Sequence, residues 1–81
     1  MSLKTEANNT DLLRWLAKRI KELRVQKNLT QLQCFHDTNV HIGRIEQGKR
    51  DISFTTLIKI CDCFNITPEE VFKRFDDFPK K

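Results

Sequence analysis

Leu12, Leu13, Leu16, Ile20 and Leu23 recur at steps of three and four residues, which gathers them on one stripe of an α-helix. Trp15 falls at the edge of that stripe, and Arg14, Lys18, Lys21 and Glu22 take the opposite face. The pattern predicts a helix over about 11–27. Asn9 or Thr10 would cap it, Asp11 would complement its dipole, and Asn28 would close it in a left-handed conformation. Thr30-Gln31-Leu32-Gln33 has the form of a capping box opening a short helix to about Asp37. Thr38-Asn39-Val40 then suits a tight turn, because Asn tolerates positive φ. A second short helix follows over about 41–47, ended by Gly48. After the polar loop Lys49-Arg50-Asp51-Ile52, Ser53 caps a helix with Phe54, Leu57, Ile58, Cys61 and Phe64 inward and Asn65 as its stop. Thr67-Pro68-Glu69-Glu70 forms a further capping box with Pro at the first helical position. The last helix is expected to run to about Phe75 with Val71, Phe72 and Phe75 inward.

The prediction is therefore all-α. Five helices are expected over 11–75, between a flexible N-terminal segment, 1–10, and a frayed tail, 76–81. Two consecutive short helices joined by a three-residue turn are the sequence form of a helix-turn-helix. At 81 residues there is room for one domain. A domain of this size buries only about 60% of its unfolded surface, so most of its apolar side chains must build the core and few remain for a deep substrate pocket.

Charge changes the picture more than size does. Lys and Arg number 15 against 11 Asp and Glu, a net +4. Residues 14–50 carry nine basic groups and three acids, +6, while the remainder carries −2. A positive excess confined to one stretch suggests a polyanionic partner, with a solvated basic helix face as the plainer alternative. No stretch approaches the roughly 20 apolar residues that span a bilayer, and Met1 to Thr10 lack the apolar run of a signal peptide. The expected location is cytoplasmic, without a membrane partner.

Cys34, Cys61 and Cys63 are an odd count and do not suggest a disulfide framework. On a helix Cys61 and Cys63 would point about 200° apart and cannot share a metal or a disulfide. All three are expected to be small core hydrophobes. His36 and His41 have no carboxylate pattern to complete a metal site, so no metal or cofactor is expected. No nucleophile is paired with a base and an orienting group, and no Gly-rich phosphate loop exists. The chain is not expected to be an enzyme.

The motifs Ile20-Lys-Glu-Leu-Arg24, Asn28-Leu-Thr-Gln31, Arg44-Ile-Glu-Gln-Gly48, Leu57-Ile-Lys-Ile-Cys61 and Phe64-Asn-Ile-Thr67 together resemble the lambda-repressor-like, Xre-type (Xre/Cro) helix-turn-helix regulators. Their order and spacing agree from about 13 to 72. The resemblance implies a compact five-helix, lambda-repressor-like DNA-binding domain whose second short helix enters the major groove. It also implies a homodimer on paired half-sites of double-stranded DNA. Two departures stand out. From Thr30 to Glu46 the chain is about three residues shorter than the family pattern, and Phe35 occupies a position where the motif usually has a small residue.

Residue roles follow from that resemblance. Arg44, Asn39 and His41 are the candidates for base edges. Arg bonds two acceptors of guanine at once and Asn does the same with adenine, although Asn39 has a rival role in the turn and His41 a rival role as cap or phosphate contact. Gln31, Gln47, Lys49 and Arg50 are the candidates for the DNA backbone. Gly43 would permit close approach to DNA or to Phe35. Arg24 and Glu46 are expected to form a structural ion pair that locks the recognition helix. Phe72, Phe75 and Phe78 are the candidate dimer surface. The expected function is a small homodimeric transcriptional regulator of the repressor, restriction-modification controller or antitoxin type, the last with a toxin as protein partner. The alternative is a protein-interaction module that keeps the fold without sequence-specific DNA binding.

Overall fold

A computed structural model describes residues 9–77. The remainder of the N-terminal segment, Phe78 and the end of the tail lie outside the described residues. Among those described there are five α-helices and no strand: α1 Asn9–Gln26, α2 Gln31–Thr38, α3 Ile42–Glu46, α4 Phe54–Phe64 and α5 Pro68–Val71. A 3₁₀ segment, Phe72–Asp77, follows.

Helix ends coincide with residues whose chemistry ends helices. Asn28, Asn39 and Asn65 take φ of 59°, 66° and 58°, and Gly48 takes 77°. Thr30 caps α2 by accepting from the Gln33 N–H at 3.0 Å, while the Gln33 side chain accepts from the Thr30 N–H at 2.8 Å. Ser53 accepts from Thr56 at the start of α4. Thr67 accepts from the Glu70 N–H, but the Glu70 carboxylate turns toward Arg19 and Lys73, so the second box forms by half.

Three sequence expectations are corrected. Asn9 and Thr10 lie inside α1, not at its cap. First-turn amides have no intrahelical partner, so these short polar side chains cost little there. In α4 the inward set is Leu57, Ile60, Cys61 and Phe64, and Phe54 is 73% exposed. The first turn of α4 projects beyond the core, and the buried phase begins one turn later. The last helix stops at Val71 and continues only as 3₁₀, with a kink at Arg74. That turns Phe72 outward to 46% exposure while Val71 is buried.

The core joins Ile20 and Leu23 of α1, Cys34 of α2, Ile42 and Ile45 of α3, the inward face of α4, and Val71. Ile42 and Ile45, three residues apart on one face, seat the five-residue α3 on this core, so a helix too short to persist alone is held by burial. Cys34 and Cys61 are buried and Cys63 is half-buried. Cys63 of α4 donates its S–H toward an Asp37 carboxylate oxygen of α2 at 3.8 Å.

Burial pushes the Cys34 thiol from 9.0 up to about 12, and the adjacent Cys63 adds to the effect. The folded chain keeps this proton after the unfolded chain has lost it. Cys34 therefore adds no pH dependence to stability below about pH 9, and stability falls as pH rises from there toward 12. Urea unfolding at pH 8–11 should give a slope more negative than that of Cys34→Ala by up to about 1.4 kcal/mol per pH unit. Parallel slopes would contradict this.

Candidate nucleic-acid interface

α2, the turn and α3 are tied together by side chains of the motif itself. Asn39 donates its N–H to the Phe35 carbonyl at 2.7 Å. The Thr38 hydroxyl bridges the turn, donating to the Cys34 carbonyl at 2.7 Å and accepting from the Val40 N–H at 3.0 Å. This bridge is how the shortened connection reverses direction without leaving these turn groups unpaired.

A second set of bonds fastens α3 to α1 and α2. Arg24 donates from Nε and Nη2 to the two Glu46 oxygens at 2.7 and 3.2 Å, and from Nη1 to the Leu29 carbonyl at 2.7 Å. The Glu46 and Arg24 side chains are 5% and 11% exposed. The hydrogen bond to Glu46 raises the Arg24 guanidinium above its ordinary value despite the opposing effect of burial. The Gln31 amide joins the set, donating to Glu46 at 2.9 Å. Gln31 is thus a strut between α2 and α3 in addition to its expected place at the backbone. Gly43 faces Gln31 and not Phe35: a Cβ there would stand 2.9 Å from the Gln31 amide oxygen.

These constraints leave little of α3 to meet a ligand. Of its five residues, Ile42 and Ile45 are buried, Glu46 is paired and Gly43 has no side chain. Arg44 alone projects, and it is exposed. Its neighbours come from the turn and from the loop into α4. Asn39, His41, Arg44 and Arg50 line one open groove of about 430 Å³ together with Ser53, Thr56 and Lys59. Arg44, Arg50 and Lys59 make no ion pair among the described residues, and the one acid on the rim, Asp51, accepts from the Ile52 N–H. The N-terminus of α4 also opens here, where a helix favours negative charge.

Gln31, Gln47 and Lys49 are exposed but outside this lining. Gly48 positions the last two. Its positive φ folds the chain onto α1, where a Cβ would meet the Arg14 backbone at 3.5 Å and Ala17 at 3.6 Å. Lys59 escaped the sequence reading. Nothing in its own segment distinguishes it from a solvated lysine, and only the packing of α2 on α4 brings it to the groove. Among the described residues no cluster of His, Cys, Asp and Glu could hold a metal ion, and no helix is long and apolar enough to cross a membrane.

Arg19 was also missed. It is 5% exposed. Its Nε donates to the Val71 carbonyl at 3.0 Å and its Nη2 to the Glu70 carbonyl at 2.8 Å, so it caps the end of α5. Its position was legible in outline, because Leu12, Leu16, Arg19 and Leu23 follow steps of four, three and four.

A search of curated proteins found no match to the chain. The family profile described as helix-turn-helix matches residues 20–71, well over half of the chain. That span runs from the middle of α1 through α5 and contains the whole groove. On this match, and on a fold in which α2 and α3 form the expected motif, the chain belongs to the lambda-repressor-type (Xre-like) helix-turn-helix family of DNA-binding regulators.

Proposed function

We propose that the protein is a cytoplasmic transcriptional regulator that recognises double-stranded DNA by sequence as a homodimer, and is not an enzyme. The observation that carries this reading is the groove. Two further cations, Arg50 and Lys59, with the Asn39 amide and the His41 imidazole, surround Arg44, the one outward side chain of α3, beside a helix N-terminus, and none of the three cations is ion-paired among the described residues. Arg44 reads a base edge, with Asn39 and His41 on either side of its approach. Arg50, Lys59, Lys49, Gln47 and Gln31 set register on phosphates. A repressor, a restriction-modification controller and an antitoxin would each use this surface in the same way.

Homodimerisation supplies what a five-residue recognition helix lacks. One Arg reads too little of a site to be selective, and symmetry doubles the reading over half-sites roughly 34–36 Å apart. The exposed Phe72 supports a dimer surface at the end of the chain. Its ring stacks on Trp15 with centroids 6.1 Å apart, and Phe75 meets Trp15 edge-on at 4.9 Å. Phe72→Ala should weaken self-association by about tenfold or more, as loss of a buried interface aromatic does. Sedimentation across concentration checks this, and an unchanged profile would remove Phe72 from the interface.

The base-reading role of Arg44 is tested by comparison with Lys49. Arg44→Ala should lose roughly 1–3 kcal/mol of discrimination at one position per half-site, and Lys49→Ala should weaken all duplexes alike. Equal loss on every duplex for Arg44→Ala would make it a phosphate contact. If neither variant nor the parent binds any duplex, the fold serves a protein partner instead.

A further inference from the structure

Phe35 stands on the inner side of the turn, half-buried, and its ring contacts His41 with centroids 4.6 Å apart and planes inclined by 31°. His41 precedes the first residue of α3, yet its side chain makes no capping hydrogen bond. The imidazole is therefore held by a ring and not by the helix end. It remains exposed and lines the groove beside Asn39 and Arg44. The backbone beneath it is fixed as well: the His41 carbonyl accepts from Arg44 at 3.1 Å, and Val40 is tied to Thr38. An aromatic at this point suits the short connection, because no longer helix start is present to fix the first outward side chain.

We propose that Phe35 is a specificity-determining positioning residue, which stacks on His41 and holds its imidazole in place at the groove to read a base edge beside Arg44. The inference rests on the DNA-reading function proposed above. Phe35 touches no DNA in this account; its effect passes through His41. A side chain already immobilised loses less freedom on binding than a free one, a difference of roughly two- to tenfold in affinity per side chain. That gain is realised only where the imidazole finds its proper base, so it appears as discrimination and not as general affinity.

The test uses the full chain, the duplex enriched from a random pool, and a scrambled duplex of the same length and composition. In the free protein the His41 ring protons, assigned by their loss in His41→Ala, should resonate upfield under the Phe35 ring current. Phe35→Leu should relieve that shift and reduce the ratio of specific to scrambled affinity by roughly two- to tenfold, leaving scrambled binding unchanged. His41→Ala should show at least as large a loss, the double variant no further loss than His41→Ala, and Phe35→Tyr the parental ratio. A parental ratio in Phe35→Leu, or equal weakening on both duplexes, overturns the proposal. Should Phe35→Leu fail to melt cooperatively, His41→Ala decides, and a parental ratio there overturns it. A parent chain that discriminates but shows no ring-current shift refutes the role of Phe35 alone. One that shows the shift but binds both duplexes equally, or neither, refutes the DNA-reading function and the proposal with it.

Discussion

Glu46→Ala should destabilise the domain by about 3–5 kcal/mol, the usual cost of leaving one partner of a buried ion pair behind. Arg24 would keep the Leu29 carbonyl as partner, but its contacts from Nε and Nη2 would vanish in a site where the guanidinium is nearly buried. Gln31 would lose its acceptor at the same time, so the links from both α1 and α2 to the recognition helix fail together. A domain of this size holds only about 5–15 kcal/mol in total, and each kcal/mol moves its melting midpoint by about 4–8 °C. A fall of well over ten degrees is therefore expected by thermal circular dichroism. The pair itself is a different quantity. Replacing both members with apolar residues of similar volume, Arg24→Met with Glu46→Leu, should cost less than Glu46→Ala, because neither charge remains buried alone. A double variant at least as unstable as Glu46→Ala would contradict this. DNA discrimination should still suffer in the double variant, since Gln31 would have no carboxylate to hold it against α3.

The second large effect is expected at Arg19. Arg19→Ala should cost about 1–3 kcal/mol, since the Val71 carbonyl loses its buried donor, while the Glu70 carbonyl keeps the Phe72 N–H. Its partly exposed neighbours Glu22 and Glu70 contribute little to that figure, because exposed ion pairs are largely screened. Arg19→Lys should recover only part of the loss, since an ammonium is a point charge and cannot reproduce the planar fork that reaches both carbonyls. The change is also expected to loosen the 3₁₀ segment that follows α5 and to reduce self-association through Phe72. Equilibrium unfolding with sedimentation separates the two consequences. A variant of parental stability would mean that water satisfies the α5 carbonyls equally well.

The positions that punctuate the fold were legible because their chemistry is local. Asn28, Asn39, Asn65 and Gly48 each take the left-handed conformation that their residue type tolerates, and Thr30 and Ser53 cap the helices they precede. What was not legible depends on neighbours distant in sequence. Ile60 is buried and Phe54 exposed because α5 and α2 cover α4 from its second turn onward, and periodicity alone leaves that phase open. The apolar run after Pro68 looked like one helix, yet the chain turns to 3₁₀ where Phe72 and Phe75 meet Trp15. At the site, residue types were visible in the sequence, but their division of labour was not. Burial of Ile42 and Ile45 and the pairing of Glu46 single out Arg44 in α3. The meeting of Phe35 with His41 follows from how tightly the turn closes.

The central claim, that a groove built around Arg44 reads DNA by sequence, is tested most directly by selection from a random double-stranded pool followed by binding over a salt series. Enrichment of a pseudo-palindrome is expected. With about four phosphates held by each subunit, the logarithm of affinity should fall against the logarithm of salt with a slope of about −7. Salt-dependent binding without enrichment, or no binding at low salt, would contradict it.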